Sequence, residues 1–449
     1  MTTTGKPPGP QVLKTVVLDP KASALQIYGR SHSPVVKSAS PSKSLSLDLD
    51  NVALAYFLSY HIVVGSGILD RGQYEFLPEL LASQQHVDPA LHHSLNAAGF
   101  AAFANSHGIV SMLHKSRVEC NSAIRALHTA LQSPETAAKD STLVAAMLLS
   151  TFETVTYVYH QDVESCLDQI TGGLALLKIR GPRSLNTRPG RQMFLQAYSL
   201  VVAACMQREH AVPPTLFDLR NNIKPSLDQD SCSWQILDLM VQFTNLSASL
   251  KNNSHQETDR SSYVLSAATQ LDNEFQAIAS ELRSTFRYEI FRYSHSSLVY
   301  NGIYHVYDDA WTIRYWNYLR LCRILLQKMV LDNCHPSLDP TPARYQSIST
   351  TIIQLSIDVC ATVAQHAGYL PLLQHQQLLS RELLNQNASQ PEAGPYTAGI
   401  YSLLHPLFVI GKMKITPMEQ KEWIISQLEY LGRLSGISQA MAAMEVMKL

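Results

Sequence analysis

Apolar residues in this chain recur at intervals of three and four over long stretches, which is the period of a helix with one face in a core. The pattern runs through "ALAYFLSYHIVVGSGIL" (Ala53 to Leu69), "SAIRALHTALQ", "QAYSLVVAACMQ", "SSYVLSAATQLDNEFQAIASELRSTF" and "WIISQLEYLGRLSG". No period-2 run is long enough to support a sheet, so the spacing predicts an all-α fold, a large multi-helix bundle. Turn-forming clusters such as "QSPETAAKDS", "RGPRSLNTRPGR", "LKNNSHQETDRSS" and "NQNASQPEAGPYTAG" separate roughly a dozen helices. None of these breaks forces a domain boundary, and no 20 to 50-residue repeat occurs. Only 16% of the 449 residues are charged, against about a quarter in an ordinary soluble domain, which predicts helices buried on more than one side.

Residues 1–47 differ. They are rich in Ser, Pro and Thr, and carry Lys6, Lys14, Lys21, Arg30, Lys37 and Lys43 against Asp19. Such a segment buries too little apolar surface to offset its chain entropy and is expected to be a disordered basic tail, leaving 48–449 as one helical domain. "SHSP" and "SASP" fit either plain linker composition or proline-directed phosphorylation. The "MTTTGKPPGPQVLK" start lacks the apolar stretch of a signal peptide. The most apolar window, Ser141 to His160, is broken by Glu153 and other polar residues, so no membrane partner is expected. A net charge of −1 gives no chain-wide footprint for nucleic acid. Seven scattered cysteines without a CxxC read as reduced thiols of an intracellular protein.

The densest chemistry lies in "YHVYDDAWTIRYWNYLRLCRILL" (Tyr304 to Leu326). A helix beginning at Asp308 or Asp309 would align Trp311, Tyr315, Tyr318, Cys322 and Leu325 on one face. It would carry Asp309, Thr312, Trp316, Arg320 and Arg323 along another, with Arg320 placed over Trp316 one turn earlier. Two readings fit: a deep packing helix whose polar groups satisfy one another, or the wall of a ligand pocket, since clustering buried Tyr, Arg, Asp and His is costly in a core that merely packs. The ligand-binding candidates are Tyr304, His305, Tyr307, Asp309, Trp311, Arg314, Tyr315 and Trp316, with Glu153 as a buried acid or helix-end polar group beside Tyr157, Tyr159 and His160. "GSG" (Gly65 to Gly67) lacks the context of a dinucleotide site, and adjacent His92 and His93 point to different sides of a helix, so neither cofactor nor metal is expected. HExxH, GxSxG, P-loop and EF-hand patterns are missing, which argues against the commoner hydrolase and phosphate chemistries.

The same stretch resembles the Trp-rich motif of the fungal-specific transcription factor domain, the helical region that follows a binuclear zinc cluster in many fungal regulators. Further stretches resemble that family in the same order: Leu77 to Asn105, "AIRALHTALQSPETAAKDSTLVAAMLLSTFE", Gly172 to Gln196, Ser356 to Leu370, "YSLLHPLFVIGK" and "GRLSGISQAMAAMEVM". In "SCLDQITGG", Cys166 and Gln169 stand where the family commonly shows Trp and His. Residues 1–119 contain no cysteine. A binuclear zinc cluster needs six closely spaced thiolates, so these residues provide no zinc-dependent DNA reading.

The resemblance implies a regulator or co-regulator of a fungal secondary-metabolite pathway, located in the nucleus and acting through a small-molecule ligand or a protein partner such as a zinc-cluster homologue. Two alternatives follow from the aromatic stretch. One is a cofactor-free cyclase or isomerase of secondary metabolism in the cytoplasm, relying on shape, desolvation and a few hydrogen bonds. The other is a non-catalytic small-molecule binder. Both predict a closed aromatic pocket of some hundreds of Å³ beside the Trp311 helix.

Overall fold

The computed structural model describes residues 48–62, 74–83, 86–157, 163–223, 232–252, 257–292, 297–307, 310–333, 342–369 and 397–448. The expected tail (1–47), the "GSG" turn, Tyr159, His160, Asp308 and Asp309 lie outside them. Asp48–Leu449 forms one compact unit, and its described residues are all-α apart from one small hairpin.

The first helices are α1 (Leu49–Tyr60), α2 (Leu77–Ala82), α3 (Pro89–His107), α4 (Val110–Leu131), α5 (Pro134–Ala137) and α6 (Asp140–Thr156). Asp48 caps α1 by accepting from Asp50 N, and Asp88 caps α3 by accepting from Ala90 N, each at 3.2 Å. Pro89 follows in the first turn of α3, where its missing N–H costs nothing, and Gly108 ends the helix at φ 68°. Most of α3 is buried, because its small residues, "NAAGFAAFAN", let α1, α4, α6 and a C-terminal helix approach closely. At Gly99 a Cβ would stand 3.4 Å from Phe57 Cβ of α1.

The chain continues through α7 (Val163–Arg180), α8 (Arg188–Arg208), α9 (Pro214–Ile223), α10 (Cys232–Asn252) and α11 (Glu257–Thr285). Gly190 in the first turn of α8 has no room for a side chain, since a Cβ would fall 1.7 Å from Ser184 O. After the hairpin come α12 (Ala310–Asn333), α13 (Pro342–Cys360), α14 (Val363–His366), α15 (Thr397–Lys412), α16 (Met418–Ser435) and α17 (Ser438–Lys448). The run Ala343–His366 is long and apolar enough to cross a membrane by composition, yet 56% of its apolar window is buried inside the protein, as in a core helix.

The long helix α12 is the second centre, packed against α10, α11, α13 and α15. Thr312 to Asn317 and Leu319 to Cys322 are all buried, so Thr312, Trp316 and Arg320 of the polar strip read from the sequence face protein rather than water. Asp272 of α11 fastens it: Arg323 donates from Nε at 2.8 Å and Gln327 from Nε2 at 2.8 Å.

The helical body carries one small addition, a two-stranded hairpin. Strands β1 (Tyr288–Arg292) and β2 (Ile303–Tyr307) pair antiparallel, Tyr288 opposite Tyr307 and Ile290 opposite His305. Each strand has five residues, too few for alternation to stand out in the sequence, but both are rich in the aromatic and branched side chains that suit a pleated surface. Asn301 (φ 52°) and Gly302 (φ 65°) turn the chain into β2.

Candidate functional site

The aromatic stretch divides at the junction of β2 and α12. Tyr304, His305 and Tyr307 lie on β2, while Arg314, Tyr315 and Trp316 lie on α12. Trp311 occupies the first turn of α12, with its side chain outside the described set, as is Asp309. Pairing of β1 with β2 adds Tyr288, the short α13–α14 link adds Thr362, and α14 adds Gln365.

Arg320 is the centre of this assembly and is 1% exposed. Its Nη1 donates to the Tyr307 hydroxyl at 2.8 Å, with Asn317 Oδ1 at 3.4 Å. The guanidinium sits 5.3 Å from the Trp316 ring centroid, as the i to i+4 spacing predicts, and 5.4 Å from that of Tyr288. Among the described residues no carboxylate lies within 4 Å of the Arg320 guanidinium, although the Asp358 charge acts on it from farther away, and its Nη2 has no hydrogen-bond partner. A buried charge is therefore held in contact with ring faces, one hydroxyl and one amide, with the Asp358 carboxylate adding attraction from a distance.

The surrounding groups lock one another. The Tyr288 ring stacks on Tyr307 at 4.8 Å and meets Trp316 edge-on at 5.1 Å. Trp316 Nε1 donates to Phe286 O at 2.9 Å, and Tyr315 stacks on Phe286. Tyr304 stacks on Phe291 across the hairpin. The guanidinium of Arg314 lies 5.3 Å from the Tyr318 ring centroid. His305 Nδ1 is 3.2 Å from the Tyr307 hydroxyl, and its backbone N–H donates to Ala361 O. Asn317 Nδ2 donates to Thr362 Oγ1 at 3.1 Å.

Electrostatics follow from this enclosure. Burial, aided by the Arg320 charge, lowers the His305 pKa to about 3, so the ring is neutral. Burial also pushes the Tyr307 hydroxyl well above its ordinary range, with Arg320 opposing the shift only in part. Neither group is poised to exchange protons near neutral pH, which is what a general acid or base requires.

Glu153 does not join the cluster. It lies on α6, where its charge, added to burial, raises the Cys120 thiol of α4 to about 11. Among the described residues no group of three or more His, Cys, Asp and Glu side chains is arranged to hold a metal ion. A cleft of about 620 Å³ opens elsewhere, between the turn into β2 and the first turns of α16. Its walls include Arg292, Tyr300, Asn301, Glu419 and Trp423, and none of the sequence candidates lines it. Trp423 is fixed there, since its Nε1 donates to Ser297 O at 3.0 Å. The cleft is open to solvent, unlike the closed pocket expected beside the Trp311 helix.

Sequence reasoning missed Tyr288, Thr362 and Gln365. Tyr288 had a faint signal in the alternation of "YEIFR"; the other two had none, because they reach the cluster through the α13–α14 corner.

The model of the fungal specific transcription factor domain matches residues 72–448, and the chain belongs to that family. Membership gives it a transcription-regulator-like role. No curated protein matches the chain, and no solved structure does.

Proposed function

We propose that this protein is a nuclear regulator or co-regulator of a fungal secondary-metabolite pathway, working through a bound partner or small ligand. The observation that carries this reading is family membership over 72–448. The interlocked burial of Arg320, Tyr307, His305 and Trp316 supports it as well, since these groups are arranged to hold a helix and a hairpin together rather than to meet a substrate. Residues 1–119 offer no cysteine for a zinc cluster, so DNA targeting in this account comes through another module. Tethering the chain to a heterologous DNA-binding module and reading a reporter tests the proposal. A change of several-fold in reporter transcript supports it, and a reporter indifferent to the tethered chain contradicts it.

A second reading, a binder or cofactor-free cyclase or isomerase, draws its support from the 620 Å³ cleft, whose size suits a small molecule. It predicts that Trp423→Ala abolishes ligand binding or turnover in a folded protein. If catalysis instead used the α12 wall, Trp311→Ala and Arg314→Ala would abolish turnover, and full activity in both would remove that helix from the mechanism.

A further inference from the structure

The cleft between the turn into β2 and α16 has walls that packing alone does not account for. Its aromatic side is fixed in place. The rings of Tyr300 and Trp423 meet at 5.7 Å with their planes 47° apart, and Trp423 Nε1 is tied to Ser297 O. Both rings are only half-buried, so part of each face is left to the cleft.

Two opposite charges share the walls. Arg292 ends β1 and Glu419 stands in the first turn of α16, both exposed. Neither forms an ion pair with the other, or with anything else among the described residues. Burial raises the Tyr300 hydroxyl, with Cys360 and Glu419 adding to the shift, so it stays protonated as a donor. Asn301, held at φ 52° in the turn, adds an amide that no described residue engages.

We propose that this cleft binds a free aromatic amino acid, with its ammonium and carboxylate groups both intact. The ring would lie against Trp423 and Tyr300, the carboxylate would meet Arg292, and the ammonium would meet Glu419. Charge complementarity selects this class over the others. A phosphate or other plain anion would face Glu419, a plain cation would face Arg292, and a neutral apolar molecule would strip water from both charges without pairing either. The volume of about 620 Å³ lies within the range of small-molecule sites. The inference rests on the small-ligand part of the function proposed above and names the chemistry of that ligand.

The test uses the full chain and ligand-observed NMR titrations. The probes are L-tryptophan and L-phenylalanine, with three controls: tryptamine lacks the carboxylate, indolepropionate lacks the ammonium, and N-acetyl-tryptophanamide presents the side chain as a peptide would. L-Tryptophan should bind saturably, and each control at least about tenfold more weakly. Arg292→Ala should weaken L-tryptophan about tenfold without weakening tryptamine, and Glu419→Gln should weaken it similarly without weakening indolepropionate. Both side chains are exposed and unpaired, so circular dichroism should stay unchanged. The proposal is overturned if neither amino acid binds, if N-acetyl-tryptophanamide binds as tightly as L-tryptophan, or if both charge variants keep full affinity. The reporter assay decides the regulatory reading separately: a tethered chain that moves the reporter yet ignores both amino acids keeps that reading and overturns this one.

Discussion

The side-chain amide of Gln365 pairs with the backbone of Tyr307 as a neighbouring strand would. Tyr307 N donates to Gln365 Oε1, and Gln365 Nε2 donates to Tyr307 O, each at 3.0 Å. The inner edge of a two-stranded hairpin is thereby closed by a helix corner, with His305 N donating to Ala361 O alongside. Replacing Gln365 with Met leaves two buried backbone groups unpaired, and each costs about 1–3 kcal/mol. Chemical denaturation of Gln365→Met should show a loss of about 2–5 kcal/mol, and a loss near zero would mean the hairpin edge is hydrated instead.

Arg320 depends on Tyr307 for its one short hydrogen bond. Tyr307→Phe removes that oxygen and keeps the ring, so it deletes the bond to the charged donor together with the longer contact to His305 Nδ1. The expected destabilisation is about 2–3 kcal/mol. Arg320→Met, which removes the buried charge and fills much of the volume, should cost less than Arg320→Ala, since an apolar replacement of similar size relieves the desolvation. The opposite order in a urea titration would show that Met does not fit the space the guanidinium leaves.

Four histidines make the fold acid-sensitive. Burial lowers the pKa to about 3 in His61, His305 and His366 and to about 4 in His405. Neither ring nitrogen of His366 has a hydrogen-bond partner among the described residues, and His405 Nδ1 has none either. With the folded values below the unfolded value of about 6.5, the unfolded chain takes up protons first as pH falls. The stability held by the neutral rings is complete above about pH 6.5 and is lost as pH falls to about 4 for His405 and about 3 for the other three, at about 1.4 kcal/mol per pH unit for each ring. Thermal melts should drop steeply between pH 6.5 and 5, and His405→Leu should flatten the slope by about a quarter.

Gly436 ends α16 with φ at +71°, and a Cβ there would come 2.1 Å from Ala102 O of the central helix α3. Conformation and space both exclude a side chain. Gly436→Ala should therefore cost at least about 2 kcal/mol by denaturation, whereas the same change at Gly172, where nothing lies within 4 Å of a Cβ, should be neutral or slightly stabilising.

Helical period and scarce charge made the all-α body legible, because both report a core shared by many helices. The Arg320–Trp316 contact was legible too, being set by spacing within one helix. Hidden were the contacts made across the chain: Tyr288 on the partner strand, Gln365 at the α13–α14 corner, and Asp272 on α11. The hairpin escaped because five-residue strands give a period-2 pattern too little length. Glu153 was drawn in by its type and its place near a helix end, but the fold sets it beside Cys120.

Deleting the gene and measuring pathway transcripts and metabolites together tests the regulatory account most directly. The account predicts that the transcripts of the pathway collapse and that no precursor accumulates. Intact transcripts with a built-up precursor would contradict it and identify the chain as a catalyst.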